Sequence, residues 1–584
     1  MIRFSRVRLV PAALCAVALL ALPVSADDRP VHKVTAELVG DVVYPHIFEG
    51  DLRNLPKAPT WQPGDPIKVV PKRGGGLALD GDLIVRPPRQ NDPLVDRDAR
   101  GLGTVDPAFG TPSLNFEGQG FNGVNPPDPS GEVGIDYYIQ MINAGGGATF
   151  AIYNKSDGSL AAGPTALDSL GTGNCASGLG DPIVLFDEAA ERWFISEFSN
   201  VADALCIYIS QTPDPVTGGW YAYEFGTPNF PDYPKYGVWI DSYLATTNES
   251  AGFFGPSEPS VYAMDRENML MGNPARPIQR FPLPTTLSAF GFQAATPADI
   301  DGAMEPAPGS PAIIMRHNDD EAHSPGSADP STDALEIFEL TVDWATPGNS
   351  VLTGSTSIAI ADFSSDLCGF TTFSCIPQPG GGTPLDPLRE VVMFQLQYRN
   401  FGADGERLVG TLATNTDGQG LRAGKRWFEL RRDSNEGVQS PWTLFQEGTI
   451  SPDADNRFMG SASMDISGNI AVAYSVSSSS TFPSLRYSGR LADDALGTTP
   501  QGEFELIAGA GSNSAERYGD YSQLAIDPVD GCTFWFTGEY NPSSSWATRI
   551  AAFAFDACGV TDEVFQDGFE SADTSGWSGT TSGI

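Results

Sequence analysis

Residues 457–475 read RFMGSASMDISGNIAVAYS, which is the pattern of a strand, a tight turn and a second strand. Ile470 and Tyr474 belong to an alternation of larger apolar and small residues after the turn, and a period of two indicates a half-buried β-strand. In the turn we expect Asp465 to accept hydrogen bonds from the N–H groups that follow it, and Gly468 to supply a positive φ. The stretch therefore predicts a β-hairpin.

The same pattern recurs along the chain, each copy having an apolar strand that ends in Asp. The repeated aspartates, with a weaker copy at the fifth, are Asp136, Asp187, Asp241, Asp301, Asp404, Asp465 and Asp527. Most lie about 50–60 residues apart, which leaves room for roughly four short strands per copy. The repeat predicts an all-β fold, a β-propeller of seven four-stranded blades over residues 126–558. We interpret these aspartates as turn formers rather than catalytic residues.

The first 26 residues have the features of a secretory signal peptide. Arg3, Arg6 and Arg8 precede an apolar run, and Val-Ser-Ala at 24–26 is a small-residue cleavage site. No later apolar stretch is long enough to span a membrane. We expect a secreted protein, extracellular or periplasmic in transit, without a membrane span.

An extended N-terminal arm is predicted for residues 27–125, which are rich in Pro and Gly. Within the arm, residues 34–43 and 77–85 could each form one strand. The last blade has only three evident strands of its own, so we expect an arm strand to complete it and protect its edge.

Charge and cysteine content limit the partners and the compartment. The formal net charge is −39, and removal of the three signal arginines takes it to −42. This excludes nucleic acid and anionic membranes, whose phosphates are bound by Lys and Arg, whereas cations would be attracted. Beyond Cys15, six cysteines remain and allow fifteen pairings in principle. Local pairing within a propeller favours Cys175–Cys206, Cys368–Cys375 and Cys532–Cys558.

Polar residues that precede first strands, or follow second strands, should converge on one rim of a propeller. The candidates for ligand binding are Asp128, Asp181, Tyr233, Lys235, Glu249, Arg517 and Asp520. The candidates for catalysis are Glu197, Glu539, His317 and Arg457. Paired carboxylates suit glycoside hydrolysis, arginine suits recognition of an anionic group, and His with Tyr suits a polysaccharide lyase.

The densest polar run is Arg316–His323, which suggests a metal site. Two histidines at this spacing lack the firmer His/Cys framework that zinc prefers. Carboxylate oxygens of Asp319 and Asp320 suit calcium better, so calcium is the cofactor we predict, and we predict no other.

Two resemblances accompany these patterns. Ser463-Met-Asp465-Ile-Ser-Gly468 resembles the Asp-box of sialidase-type propellers, although the spacing differs by one residue and the Trp is missing. Phrases such as Asp181-Pro-Ile-Val-Leu-Phe-Asp and Asp232-Tyr-Pro-Lys-Tyr-Gly-Val-Trp resemble a large group of secreted bacterial propeller-like proteins. The second resemblance covers most of the chain and implies the fold and export, but no particular chemistry.

The tail, residues 559–584, contains Asp567-Gly-Phe-Glu-Ser and a later Trp577-Ser. It resembles short endings of otherwise unrelated exported bacterial proteins. A sorting or processing signal and a disordered acidic end both remain open.

The functional prediction is a secreted, monomeric propeller that binds an extracellular ligand, a glycan, on its funnel face. One alternative is a carbohydrate-active enzyme, either a glycoside hydrolase or a polysaccharide lyase, with a deep central pocket. A second alternative is a propeller that binds another protein. An enzyme requires an open funnel with converging carboxylates, whereas a binding protein is compatible with a plugged channel.

Overall fold

The computed structural model describes residues 32–70, 91–95, 108–250, 257–284, 294–323, 331–369, 374–389, 391–435 and 438–559. The predicted signal peptide, the possible strand at 77–85 and most of the tail lie outside these residues. The all-β prediction is confirmed, since strands dominate and helices are a single turn or little more. The short helices are Leu52–Asn54, Leu167–Leu170, Gly173–Ala176, Arg266–Leu270, Asp320–His323, Pro347–Asn349, Pro379–Gly381 and Gly402–Asp404.

Strands of the N-terminal segment come first in the chain. They are β1 (His32–Thr35), β2 (Glu37–Val39), β3 (His46–Phe48), β4 (Lys68–Val69), β5 (Leu114–Gly120) and β6 (Val124–Asn125). β4 and β6 form a small parallel ladder with each other. The other strands of this segment pair with strands from later in the chain.

The remaining described strands form seven consecutive antiparallel meanders. Meanders 1 and 2 contain β7 (Ser130–Val133), β8 (Tyr137–Ala144), β9 (Gly147–Asn154) and β10 (Leu160–Ala166), then β11 (Gly178–Asp187), β12 (Arg192–Ser199), β13 (Ala204–Ser210) and β14 (Trp220–Gly226). Meanders 3 and 4 contain β15 (Phe230–Val238), β16 (Ser242–Ser250), β17 (Ser257–Asp265) and β18 (Ile278–Pro282), then β19 (Thr296–Ile300), β20 (Ala312–Asn318), β21 (Thr332–Thr341) and β22 (Val351–Ala361).

Meander 5 contains β23 (Leu396–Asn400), β24 (Glu406–Asn415), β25 (Ala423–Arg432) and β28 (Thr443–Ile450), with the small hairpin β26 (Ser434–Asn435) and β27 (Val438–Gln439). Meanders 6 and 7 contain β29 (Asn456–Met464), β30 (Ile470–Ser477), β31 (Ser484–Arg490) and β32 (Glu503–Ile507), then β33 (Gln523–Ile526), β34 (Phe534–Tyr540) and β35 (Ala547–Phe553). β19 also pairs in parallel with β23, so meanders 4 and 5 share one continuous sheet.

The predicted hairpin at residues 457–475 is confirmed as β29 and β30. Asp465 Oδ1 accepts the N–H groups of Ser467 at 2.8 Å and Asn469 at 3.0 Å, and Gly468 has a φ of 83°. Asp187 and Asp527 make equivalent bonds in their own turns, to the N–H groups of Ala190 and Val529. In these three copies a short carboxylate closes the turn, which helped to make the repeat visible in the sequence.

The N-terminal segment runs along outer strands of several meanders. β1 pairs with β22, β2 with β18, and β3 with β14, so these strands are added to meanders 4, 3 and 2 in turn. β5 pairs with β35 and is the fourth strand of the sheet of meander 7. Of the two stretches proposed as arm strands, residues 34–43 overlap β1 and β2 and do not contact this sheet.

Covalent and apolar contacts stabilise the packed sheets. The three predicted disulfides are confirmed: Cys175–Cys206, Cys368–Cys375 and Cys532–Cys558. Large buried aromatic side chains, including Trp193, Trp220 and Trp427, fill the core. In the part of the chain that the structure describes, no helix is long and apolar enough to cross a membrane.

Candidate functional site

Residues predicted for the rim converge near the starts of several first strands. We call Asp128, Asn143, Asp181, Tyr233, Lys235, Arg517, Asp520 and Glu539 the rim cluster. Asp128 accepts the N–H of Asp520 and the Nδ2 of Asn143, each at 2.6 Å. Asn143 Oδ1 in turn accepts the N–H of Asp181 at 2.8 Å. Hydrogen bonds therefore link meanders 7, 1 and 2.

Aromatic and basic side chains complete the rim cluster. The Tyr233 hydroxyl donates to the Asp520 carbonyl at 3.0 Å, and Lys235 Nζ lies 3.8 Å from the centre of the Tyr233 ring. Arg517 forms an ion pair with Asp520. Six of the seven residues predicted for ligand binding are thus in this cluster, and Glu249 is not.

A backbone feature that is repeated in three first strands positions two residues of the rim cluster. Asp181, Tyr233 and Met459 have backbone φ angles of 51°, 50° and 47°. Residues other than Gly rarely adopt such positive φ angles. Each lies where the pairing of its first strand with the second strand shifts register, as in a β-bulge. Bulges redirect side chains, so this device turns Asp181 and Tyr233 toward the cluster. The sequence contained no signal for it, since none of the three is Gly or Asn.

The rim cluster is buried and rich in acid. Lys235 is 0% exposed and Glu539 is 3% exposed. Burial and then Asp520 raise the pKa of Asp128 to about 7, and burial raises the pKa of Glu539 well above its ordinary value. Burial also lowers the pKa of Lys235 well below its ordinary value. Neither carboxylate oxygen of Glu539 meets a hydrogen-bond donor among the described residues.

The segment between meanders 4 and 5 covers this face. Leu367, Ile376, Leu385 and Leu388 are all buried and pack in one apolar cluster with aromatic side chains of the rim, including Tyr233. The Cys368–Cys375 disulfide lies within the segment, which also bonds through the Asp386 N–H to the Glu516 carbonyl at 3.0 Å. The described residues of this segment therefore cover the rim cluster.

Two candidate residues lie in ion pairs within single meanders. Arg457 donates to Glu503 at 2.9 and 3.0 Å and to Asp453 at 2.7 Å. Glu249 accepts from Arg280 at 3.1 and 3.0 Å. The structure does not bring either of them together with the rim cluster.

His317 lies on β20 of meander 4 and is buried. Its ring centre is 5.6 Å from that of His323 and 5.5 Å from that of Phe363. Burial, followed by the charges of His323, Arg316 and Lys235, lowers its pKa well below the ordinary value. Among the described residues, the ring contacts of His317 are therefore with meander 4 and the segment that follows it, and not with the rim cluster.

A carboxylate cluster lies on meander 4. Asp319, Glu321 and Asp333 each offer an oxygen within 4.8 Å of the others. Asp320 joins it through its backbone, since its N–H donates to Asp333 Oδ1 at 2.8 Å. Burial and neighbouring carboxylates raise the pKa of Glu321 to about 8 and that of Asp333 to about 9. These oxygens could hold a hard cation, and Asp333 was missed because it lies on the next strand.

A more open site was not predicted. A cavity of 540 Å³, which we call the arm cleft, lies between the N-terminal segment and meander 1. Its lining includes Lys57, Trp61, Phe121, Asn122 and Asp168. Trp61 and Phe121 meet edge to face at 5.0 Å, and both are only half-buried. No sequence pattern joins these residues, because the arm and meander 1 meet only in the fold.

Glu197, a predicted catalytic residue, lies behind the wall of the arm cleft. Its Oε2 accepts the Ala148 N–H at 2.9 Å, and its Oε1 meets no hydrogen-bond donor among the described residues. Burial raises the pKa of Glu197 well above its ordinary value and also raises that of Asp168. A Cβ on Gly178 would lie 1.9 Å from Glu197 Oε2, and one on Gly147 would lie 2.6 Å away. Glycine at both positions makes room for the carboxyl group.

A second cavity, of 290 Å³, lies near the turns that contain the repeated aspartates. Its lining includes Asp187, Glu188, Arg266 and Gly302. Arg266 pairs with Asp187 at 2.6 Å, and Glu188 accepts the Gly302 N–H at 2.9 Å. Burial and then Asp301 raise the pKa of Glu188 to about 8. These contacts pair Asp187, Glu188 and Arg266 within the protein.

Comparisons with known proteins find similarity in fold only. No family model matches the chain, and no curated protein matches it. A protein of unknown function from Dyadobacter fermentans is 10% identical with a TM-score of 0.34, over 76% of this chain and 99% of that one. The WD40 domain of SCAP from fission yeast is 10% identical with a TM-score of 0.31, over 72% and 82%. Parainfluenza virus 5 hemagglutinin-neuraminidase is 9% identical with a TM-score of 0.32, over 70% and 95%. Such distant similarities assign no function to this chain.

Proposed function

We propose that the seven meanders are the blades of one closed propeller, with β5 as the outer strand of the last blade. The contacts between meanders 7 and 1 support this arrangement. Gln523 Nε2 donates to Glu132 Oε2 at 2.7 Å, and Lys155 pairs with Asp527 at 2.7 Å. Both links join the two ends of the repeat.

We propose that the protein is exported and binds an extracellular glycan without cleaving it. The open arm cleft carries this proposal. Because the rim cluster is covered, we place the binding site in the arm cleft rather than in the funnel. Half-buried aromatic rings suit the apolar faces of sugar rings, while Asn122, Asp168 and Thr60 supply hydrogen-bonding groups at the cleft. The net charge of −39 disfavours sulfated or uronic polymers as ligands. Three disulfides are consistent with export.

Replacing Trp61 with alanine should weaken glycan binding by about 30-fold, the effect of losing about 2 kcal/mol from a central aromatic contact. The measurement is titration calorimetry with the neutral oligosaccharide that binds most tightly in an array of immobilised glycans. Trp61→Phe keeps an aromatic ring and should retain most of the affinity.

The matched control is Tyr44→Ala, which removes an aromatic residue of the same N-terminal segment. Tyr44 is 75% exposed and lies outside the arm cleft. Equal losses in the two variants, or no loss in Trp61→Ala, would contradict the proposed site. Product release from the glycan by the wild type would favour the carbohydrate-active enzyme, and absence of any glycan binding would favour a protein partner.

We also propose calcium as a structural ion at Asp319, Glu321 and Asp333. Added calcium at about 100 times its dissociation constant should stabilise the fold by about 2.7 kcal/mol. Asp333→Asn should remove most of this gain, because it takes one charge from the buried group. Asp343→Asn, on an exposed turn of meander 4, is the control. Thermal unfolding with calcium and with EDTA measures the effect, and the same shift in Asp333→Asn as in the wild type would rule out this site.

A further inference from the structure

The Asp168–Glu197 pair gives the arm cleft a specific electrostatic character. Asp168 lines the cleft and is half-buried, whereas Glu197 is 1% exposed and sits behind it. The Gly178 N–H donates to Asp168 Oδ1 at 2.6 Å, so the carboxyl group has a fixed orientation. Glu197 is fixed by the Ala148 N–H and by two glycines that leave space for it. The pair is therefore held in one geometry from both sides.

Glu197 is enclosed, and its Oε1 meets no hydrogen-bond donor among the described residues, so ionisation of Glu197 beside Asp168 is costly and its carboxyl group keeps its proton. The pair then carries a single negative charge, and Asp168 is the member that reaches the cleft. A carboxylate is only an acceptor, and a charged donor bonds to it more strongly than a hydroxyl group does. The single charge at the wall of the cleft favours a cationic group over a neutral one.

The other charged residue of the cleft does not cancel this preference. Lys57 also lines the cavity, but its side chain is exposed and its charge is screened by water and salt. Asp168 is half-buried beside apolar groups such as Ile142 and Ala148, where an ion pair is weakened less by solvent. The net charge of the whole chain, −39, adds attraction for a cation.

We infer that the arm cleft recognises an amino sugar with a free amine, which Asp168 binds directly and for which Glu197 is a positioning residue. The inference rests on the proposed glycan-binding function and specifies its ligand class. Trp61 and Phe121 would contact the apolar face of a sugar ring while the ammonium group bonds to Asp168. The geometry does not fit glycoside hydrolysis by this pair, since both carboxyl groups of a glycosidase must reach the scissile bond and Glu197 is buried behind the wall of the cleft.

The test compares a glucosamine oligomer with the N-acetylglucosamine oligomer of equal length, by calorimetry at about pH 6, where most free amines carry a proton. The wild type should bind the glucosamine oligomer about tenfold more tightly, as expected for one charged hydrogen bond. Asp168→Asn should remove this tenfold preference, because it weakens binding of the glucosamine oligomer about tenfold more than binding of the acetylated oligomer. Glu197→Gln should retain the preference, because glutamine keeps the shape of a neutral carboxyl group and Asp168 keeps its charge.

The control for overall charge is Asp157→Asn, an exposed turn residue on meander 1 that lies outside the cleft. Equal affinity of the wild type for the two oligomers would overturn the inference. If both oligomers bound equally and Trp61→Ala weakened that binding, the proposed glycan site would stand and only the preference for an amino sugar would be wrong. An unchanged preference in Asp168→Asn would also overturn the inference. If neither oligomer bound, both the inference and the proposal that the arm cleft binds sugars of this type would be wrong.

Discussion

A variant that begins at residue 121 is expected to fail to fold, whereas one that begins at residue 108 should fold. The two differ by a short segment that contains β5. Removal of β5 leaves β35 without its outer partner and exposes an unpaired edge. The lost ladder bonds and apolar contacts amount to about 5 kcal/mol. This is comparable with the whole stability of a typical domain.

β5 also joins meander 7 to meander 1 through side chains. The Gln119 N–H donates to Gln140 Oε1 at 2.8 Å, and the Tyr540 hydroxyl donates to Glu117 Oε1 at 2.8 Å. Phe116 packs on Tyr153 with ring centres 5.4 Å apart. Losing the strand therefore opens the contact between the first and last repeats as well as the edge.

The measurement is thermal unfolding of the full chain and both truncations, followed by circular dichroism. The variant from 108 serves as the matched control, because it also lacks β1, β2 and β3 and the Asp92–Arg426 ion pair. A lower but cooperative transition is expected for it. If the variant from 121 melted at the same temperature as the variant from 108, β5 would not be the closing strand.

Local patterns in the sequence predicted the repeated hairpins well. Asp465 and Gly468 reveal their turn because the carboxylate and the positive φ act within five residues. The three disulfides were also predictable, since consecutive strands bring nearby cysteines together. Both features depend on contacts that are local in the chain.

Features that depend on distant contacts were predicted only in part. Converging strand ends were enough to predict most of the rim cluster, but its burial depends on the segment around Cys368 and Cys375, whose path has no sequence signal. The arm cleft was missed because Trp61 and Asp168 are distant in the chain and belong to no motif. The closing strand was expected, yet Leu114–Gly120 was overlooked since its glycines weaken the strand pattern.

The stability of the protein should fall as pH rises from about 4 to about 8, contrary to the behaviour of proteins stabilised by ionised carboxylates. Burial raises the pKa of several interior carboxyl groups: about 7 for Asp128, about 8 for Glu188 and about 6 for Asp301. Ordinary carboxyl pKa values in an unfolded chain are near 4. Between the two values the folded state holds protons that the unfolded state has released, so each group lowers the free energy of unfolding by about 1.4 kcal/mol per pH unit.

Buried lysines have the opposite sign and a different window. Burial lowers the pKa of Lys425 to about 7 from an ordinary value near 10.5. Above about pH 7 the unfolded state therefore holds a proton that the folded state has released, and this group raises the free energy of unfolding as pH rises. The carboxyl groups therefore determine the trend below neutrality. Urea unfolding at about pH 5, 6.5 and 8, with EDTA present, should give a steadily decreasing free energy of unfolding.

Glu539→Gln tests whether interior carboxyl groups cause this trend. Glutamine has nearly the same shape but cannot ionise. The free energy of unfolding of the variant should therefore fall less steeply with pH, by about 1.4 kcal/mol per pH unit, and the variant should be more stable than the wild type at high pH. Glu539 is suited to the test because neither of its oxygens meets a donor among the described residues, so the change breaks no hydrogen bond there. Glu267→Gln, at an exposed position of the helix Arg266–Leu270, should leave the slope unchanged. Two results would contradict the prediction: a wild type whose stability is constant from about pH 5 to 8, or the same pH dependence in Glu539→Gln as in the wild type. Either would mean that these carboxyl groups are ionised in the folded state and that other interactions stabilise their charges.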